Sequence, residues 1–373
     1  MGFKLVKVET RQDLDRFVRL PWKIYKDQPC WTPPLIRERK TFLNPDINPF
    51  FEHAEADLFL AVDDNRSPVG RIALVHDRNY QDLHSESVGM FGMFESGDDP
   101  SLSRLLLDKA YQWCQERGHA RLMGPMNLST NHECGLLIEG FDSPTMFGIP
   151  YNPEYYGKHF EAWGLQKAKD LLALRLDFVK VPDYLERAAK KLKQRNRFTV
   201  RCLDLSRFDK EISILWDIYN SAWGLNWGFV PMTQKEFEFS AREMKSFIHP
   251  EFCLIAEVKG EPAGFSLALP DVNQVLKGMD GSLFPFGWAW FLWKKNKIDV
   301  FRVLTLGVKK KYRRLGIDAW LYYEIYRLSL EKKIKWCEIS WLLEDNKGIL
   351  EPMYRIGGTI YKRHRIYERL ITS

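Results

Sequence analysis

Cysteine is scarce in this chain and placed to do little. Six cysteines stand in 373 residues, at positions 30, 114, 134, 202, 253 and 337, and none are close enough for a Cys-x-x-Cys metal or redox motif. Thiols scattered in this way suit buried packing in a reducing cytosol rather than a disulfide framework. Long hydrophobic runs are missing too. The longest strongly apolar stretch, Gly281–Trp293, has 13 residues, short of the roughly 20 that cross a bilayer as a helix. The first residues, MGFKLVKVETRQDLDR, are charged throughout and do not read as a signal peptide. The expectation is a cytoplasmic protein, soluble or peripheral at the inner face of the membrane. Charge of one sign is also in short supply: the net value is +6, an excess that suits a phosphate-bearing ligand or an anionic surface without requiring either.

Hydrophobic residues make up 45% and charged residues 28%, an ordinary globular balance that excludes wholesale disorder, collagen and coiled coil. At roughly 100–200 residues per domain the length predicts two domains. What the chain has in quantity is aromatic: 13 Trp, 15 Tyr and 24 Phe. Large rings serve cores, ligand walls and membrane interfaces alike.

Strands and helices alternate along the whole length, and their order repeats. In the first half, ADLFLAV and VGRIALV read as a hairpin, and Leu102, Leu106, Ala110 and Trp113 lie at helical spacing. A strand ARLM, the turn-rich loop GPMNLSTNHECGLLIEGFDSP, a helix around Tyr155–Trp163 and a strand LLALRLDF follow. In the second half, FCLIAEV and AGFSLAL pair, VLTLGV leads into a helix with Ile317, Leu321, Ile325 and Leu328 on one face, and KWCEISWL and TIYKRHRIYERL complete the set. Gly70 and Gly164 recur as Gly264 and Gly358 at a shared offset of 194. The reading is a duplication of an α/β (α+β) domain, each copy a mixed sheet flanked by helices, over 1–179 and 180–373.

A helix DYLERAAKKLKQRNR links the halves, carrying Arg187, Lys190, Lys191, Lys193, Arg195 and Arg197. It reads as a solvated basic face or as a contact for phosphate or anionic lipid. Nucleic acid is the weaker partner, because no binding module accompanies the basic run. The most informative segment is VLTLGVKKKYRRLGIDAWLYYEI, where a strand ends, basic residues crowd a turn, and a helix begins at Arg314 or Leu315. Unpaired N–H groups and the dipole at a helix start favour an anion, and a glycine lets a diphosphate approach the main chain.

At these residues the chain resembles the GNAT acyltransferase superfamily, whose Arg/Gln-x-x-Gly-x-Gly/Ala pattern reads here Arg313-Arg314-Leu315-Gly316-Ile317-Asp318. Asp318 departs from the pattern and places a negative charge beside the expected diphosphate. Asn346, Tyr354 and Gly358 follow in the family's order. The resemblance implies an acyl-CoA donor, its pyrophosphate on the Arg313–Asp318 turn and its pantetheine arm along Leu306–Val308, with Asn346 also on the cofactor side. It implies amine attack on the thioester and no metal. The first copy has Ser-Gly-Asp-Asp-Pro where the phosphate loop should be, so it reads as a degenerate repeat that shapes the acceptor site.

Main-chain N–H groups of Leu306–Val308 are the expected oxyanion donors, and by its motif position Tyr354 is the candidate acid, with a core tyrosine as the bland alternative. For the base, Glu338 and Glu344 flank a strand of the second half. In the first half His132 and Glu133, crowded with Asn127 and Asn131 in one loop, are the alternative, with a surface His–Glu pair in a turn as the plain reading.

The segment SLFPFGWAWFLWKKNK packs Phe284, Phe286, Trp288, Trp290, Phe291 and Trp293 before Lys294, Lys295 and Lys297. It reads as interface packing, as a membrane-contacting loop over 283–297, or as the mouth of an acyl channel walled by Trp288 and Trp290. The last two favour a lipidic amine. The layout also looks like bacterial GNAT-type proteins of this size, some of them thought to be ceramide synthases that acylate sphingoid bases. Two other readings stay open: a Fem-like aminoacyl transferase, and a non-catalytic acyl-CoA or lipid-binding protein.

Overall fold

The computed structural model describes residues 2–224, 226–283 and 287–372. The chain begins with β1 (Lys4–Lys7), α1 (Arg11–Ile24), α2 (Ile36–Phe42), β2 (Ala54–Val62), β3 (Pro68–Asp77) and α3 (Arg78–His84). It continues through β4 (Val88–Ser96), α4 (Pro100–Glu116), β5 (Arg121–Gly124), β6 (Leu136–Glu139), α5 (Tyr155–Trp163) and β7 (Gln166–Asp177). Next come α6 (Asp183–Arg195), β8 (Thr199–Cys202), α7 (Phe208–Trp223), α8 (Gln234–Met244), β9 (Cys253–Val258), β10 (Glu261–Pro270) and α9 (Asn273–Leu276). The last elements are α10 (Gly287–Lys294), β11 (Val300–Val308), α11 (Ile317–Glu331), β12 (Trp336–Leu343), α12 (Lys347–Arg355) and β13 (Thr359–Leu370).

These elements form two compact units. The first takes Met1–Leu171 with Val275–Trp293 and Lys362–Ser373, and the second takes Leu172–Gln274 with Lys294–Tyr361. In the first unit the sheet runs β1-β2-β3-β4-β5-β13, with β6 also against β13. Its pairs are antiparallel except β4 with β5. In the second, the order β8-β9-β10-β11 is antiparallel, β11 to β12 is parallel, and β7 follows β12. Each unit is thus an antiparallel meander closed by a parallel pair, with one helix bridging that pair: α4 in the first, α11 in the second. This is the repeated α+β order expected from the sequence.

Local chemistry accounts for the bridging helices. The residues spaced for one face of α4, Leu102, Leu106, Ala110 and Trp113, are all buried. So are Ile317, Leu321, Ile325 and Leu328 of α11. Removing a side chain from such a face, as in Leu321→Ala, costs about 2–5 kcal/mol. The helix α6 packs rather than merely linking: Leu185 joins the core of its unit with Leu174 and Ile325, while Arg187, Lys190 and Lys193 stay on its outer side. Two elements differ from expectation. The helix after the basic turn starts at Ile317 rather than at Arg314 or Leu315, because Arg314 (φ 70°) and Gly316 (φ 83°) are left-handed and interrupt a helix begun at either. The aromatic segment also contains a helix, α10, rather than a plain loop, with Phe284 and Phe286 outside the described residues. No helix among the described residues is long and apolar enough to cross a membrane.

Candidate active site

The central feature of the second unit is a place where two parallel strands part. β11 and β12 pair from Val300↔Trp336 to Val303↔Ile339 and no further. Yet β11 continues to Val308 along β10, where Gly264 faces Val308. The parting coincides with a bulge: Thr305 lies opposite Leu267 and Val303 opposite Ala268, leaving Leu304 as the extra residue. A bulge bends and twists its strand, so the backbone beyond Leu304 turns away from β12. One edge of Leu306–Val308 therefore has no strand partner among the described residues. The Thr305 hydroxyl is buried there without a hydrogen bond.

The strand runs straight into the basic turn. Lys309 N–H closes on Ala263 O (2.8 Å) and Arg313 N–H reaches Lys310 O (3.4 Å). The next main-chain bond comes from Trp320 N–H to Gly316 O (3.0 Å). Between them, from Arg314 to Ala319, no main-chain N–H donates to a main-chain carbonyl among the described residues. These N–H groups stand at the start of a 15-residue helix, an arrangement that suits an anion. Gly316 is required twice over: its φ is 83°, and a Cβ there would stand 2.7 Å from Leu192 Cδ2 of α6. As the N-cap it also has no side chain to occupy the N–H groups beyond it.

The candidate residues of this unit fall into three places. Leu306, Val308, Leu315 and Ile317 share one small core, so the strand end and the turn are a single packed piece. Arg313 serves that piece structurally, since Nη2 donates to Ala222 O (2.8 Å) and Nε to Val308 O (3.4 Å). Arg314 and Asp318 are exposed. Asp318 lies in the first turn of α11, where a carboxylate complements the helix dipole, which gives it a structural reason to be there.

Asn346 precedes α12 and Tyr354 lies on it; Leu350 and Met353 of α12, with Ile356 just after it, pack into the same core as Ile325 and Leu328 of α11. Asn346 opens that helix without capping it by its side chain. Tyr354 is 46% exposed, so it is not a core tyrosine.

Glu338 occupies the third place, directly at the parting point, paired in register with Arg302. It is 0% exposed. Ser340 Oγ donates to its Oε1 and Tyr361 Oη to its Oε2. Arg302 Nε lies 3.6 Å from Oε1 and donates to Ser340 Oγ (3.0 Å). Burial, reinforced by Glu338, pushes the Tyr361 phenol well above its ordinary range. Sequence reasoning missed Arg302, Ser340 and Tyr361. For Ser340 the signal was present in WCEISWLL, where Glu338 and Ser340 interrupt an apolar strand two residues apart.

In the first unit Asn127, Asn131, His132 and Glu133 do gather, but around each other. Glu133 Oε2 accepts from Arg39 Nη1 and Asn127 Nδ2, both at 2.9 Å, and Asn127 Oδ1 accepts from Met93 N–H (2.7 Å). Burial alone would raise the Glu133 pKa; Arg39 and Asn127 outweigh it and hold the carboxyl below its ordinary range. His132 meets Ser129 Oγ (2.9 Å) and sets its ring edge-on to Phe42 and Phe50, and Asn131 N–H donates to Ser129 Oγ (3.2 Å). Trp288 and Trp290 lie on α10 and face outward, 54% and 37% exposed. A groove of about 330 Å³ opens between α6, β8 and α11, lined by Leu192, Phe198, Val200 and Trp320, and includes none of the candidate residues.

No protein-family model matches the chain. It is 37% identical over 375 residues to a protein of Caulobacter vibrioides named bacterial ceramide synthase, covering 98% of this chain and 97% of that protein. Protein YghO of Escherichia coli K12 is also 37% identical, over 97% of this chain and 94% of its own length. Among solved structures, a tandem GNAT protein from the clavulanic acid biosynthesis pathway superposes over 100% of this chain and 99% of its own, at TM-score 0.57 and 11% identity. A GCN5-related N-acetyltransferase from Sphaerobacter thermophilus covers 100% and 96%, at TM-score 0.54 and 13% identity. Both likenesses are of fold.

Proposed function

The chain belongs to the GNAT N-acyltransferase superfamily, in one family with the Caulobacter and Escherichia proteins, and from that premise we propose that it acylates a long-chain amine, a sphingoid base, from an acyl-CoA donor. The observation that carries this reading is the parting of β11 from β12 immediately before the Arg313–Asp318 turn. An open strand edge followed by unpaired N–H groups suits a ligand with an amide-bearing arm and a diphosphate, which acyl-CoA has.

On this reading the N–H groups along Leu306–Val308 hold the arm and polarise the thioester carbonyl, because charge grows on that oxygen as the amine attacks. The diphosphate rests on the N–H groups from Arg314 to Asp318, with Arg314 adding charge and Asn346 bordering the donor. Tyr354, with its phenol at the surface of α12, protonates the departing thiolate. Glu338 is the base rather than His132 or Glu133: it stands at the parting point, whereas Arg39 and Asn127 already engage Glu133. The copy over 1–179 contributes to the acceptor side, and 180–373 holds the donor.

The greasy acceptor is supported by the name of the Caulobacter relative, bacterial ceramide synthase, and by α10. Trp288, Leu292 and Trp293 are each more than half exposed, and Lys294, Lys295 and Lys297 follow directly. Tryptophans at headgroup depth, with lysines contributing about 1 kcal/mol each against anionic lipid, make 283–297 a peripheral membrane contact and Trp288 and Trp290 part of the acceptor's approach. Binding to phosphatidylglycerol vesicles but not to phosphatidylcholine alone, lost in Trp288→Ser/Trp293→Ser, is expected in sedimentation. Equal binding by that variant would remove the contact.

The function itself is tested by thiol release from acetyl-CoA and palmitoyl-CoA, each with and without sphinganine. Sphinganine-dependent release from palmitoyl-CoA, with the amide seen by mass spectrometry, is the expected result. Release with acetyl-CoA alone would redirect the acceptor to small amines, and donor binding without turnover would favour an acyl-CoA-binding protein.

A further inference from the structure

Glu338 does not meet a substrate amine directly, because it is 0% exposed and each of its oxygens already accepts a hydrogen bond inside a buried cluster. Oε1 accepts from Ser340 Oγ and faces the Arg302 guanidinium at 3.6 Å. Ser340 is committed in turn, accepting from Arg302 Nε at 3.0 Å on its hydroxyl and from Nη2 at 3.3 Å on its carbonyl. A proton reaching Glu338 must therefore arrive at Oε2, where the Tyr361 hydroxyl donates. A phenol oxygen that donates can also accept. It is thus able to take a proton on one side and pass its own to the other.

The placement fits the reaction. Cys337 and Ile339 of β12, and Phe301 and Val303 of β11, belong to the core beneath α11 and α12. By strand alternation Arg302, Glu338 and Ser340 point to the opposite face of the sheet. Tyr361 lies with them, its ring edge-on to that of Trp336 (centroids 5.7 Å apart). Tyr354 stands on α12, on the α11 side. The two tyrosines consequently belong to opposite faces of the sheet.

Resting on the acyltransferase reading, we propose that Tyr361 is the residue that receives the amine's proton, relaying it to Glu338. The substrate ammonium gives a proton to Tyr361 Oη as Tyr361 gives its own to Glu338 Oε2. The neutral amine then forms the C–N bond with the thioester carbon. As the C–S bond breaks, the thiolate takes the Tyr354 proton, and the surplus proton left on nitrogen makes that loss good. Glu338 returns its proton through Tyr361 to water after the amide leaves.

The test uses the full chain with palmitoyl-CoA and sphinganine, and compares wild type, Tyr361→Phe, Glu338→Gln and the double variant. Tyr361→Phe is expected to lower kcat about 10²–10³-fold, within the range of positioned proton transfer, with the Kd for CoA unchanged by calorimetry. The double variant should be no slower than Glu338→Gln, since one relay is broken in either case. Raising the pH supplies neutral amine ready-made, so all three variants should regain rate. The other charged groups near the pair, Arg302, Asp271 and Arg175, are untouched in each.

A Tyr361→Phe rate within about threefold of wild type, or losses that multiply in the double variant, would overturn the relay while leaving the transferase intact. If Tyr361→Phe does not fold, Glu338→Gln, which keeps an acceptor for Tyr361, carries the same rate and pH expectation. A wild type that turns over no amine removes the transferase reading, and the relay with it.

Discussion

The two units part their parallel strands in the same way and fill the gap differently. In the first, β4 and β5 pair from Val88↔Arg121 to Met90↔Met123 and then separate, with a register shift in β4 close by. There the gap is closed by the protein itself: Met126 N–H donates to Phe91 O (2.7 Å), and Asn127 Oδ1 takes the N–H of Met93. The helix that follows is also sealed. Asp99 caps α4 by accepting from Ser101 N–H (2.8 Å), and Pro100 removes another donor. In the second unit the corresponding strand edge has no strand partner among the described residues, and the cap is Gly316, which has nothing to cap with. A third contrast lies four residues before the matched glycines Gly164 and Gly358. Phe160 is buried in the first core, and Tyr354 is exposed in the second. The same backbone is thus sealed or left open according to whether side chains satisfy its orphan N–H groups.

Each contrast can be broken. The largest effect is expected from Tyr354→Phe, which gives the second unit the first unit's ring. Turnover should fall about 10²–10⁴-fold with little change in donor Kd, and an unaltered rate would return Tyr354 to a packing role. Gly316→Asp gives α11 a carboxylate where α4 has one. Lost charge-assisted bonds and left-handed strain should weaken CoA binding at least about 100-fold by calorimetry; retained affinity would remove the diphosphate from this turn.

Opening the first unit instead should cost only stability. Asn127→Ala strips Met93 N–H of its partner and Glu133 of a donor, about 1–3 kcal/mol by chemical denaturation, with donor affinity intact. Asp99→Ala should cost about 1 kcal/mol and create no second CoA site; two bound CoA molecules per chain would contradict the degenerate reading. The smallest effect is on acid stability. Because Glu133 is held below its ordinary range in the folded chain, its stabilising contribution is present above the unfolded value of about 4.3. It is lost as the pH falls through the lower folded value. Glu133→Gln should flatten that acid limb in pH-dependent melting, and an unchanged limb would uncouple Glu133 from Arg39.

Much of this was legible beforehand because it is local. The faces of α4 and α11 follow from a 3.6-residue period, β13 matches TIYKRHRIYERL end to end, and the turn between β11 and α11 follows from the glycine at 316. The basic helix α6 was legible as a helix but not as a packed one, since Leu185 and Ala189 are its only buried residues. Glu338 and Glu133 looked equivalent in sequence. They differ because Arg39, 94 positions away from Glu133, and Tyr361, 23 positions away from Glu338, arrive only through tertiary structure.

Composition, periodicity and turn chemistry by themselves determined the duplicated α+β plan, the helix faces and the glycine-bearing turn before α11, all properties of neighbouring residues. Which gap is sealed, which tyrosine is exposed and which carboxylate is walled in were decided by the tertiary structure. Each depends on whether a distant side chain reaches a buried polar group, and the cost of leaving such a group unpaired is set only once the chain has folded around it.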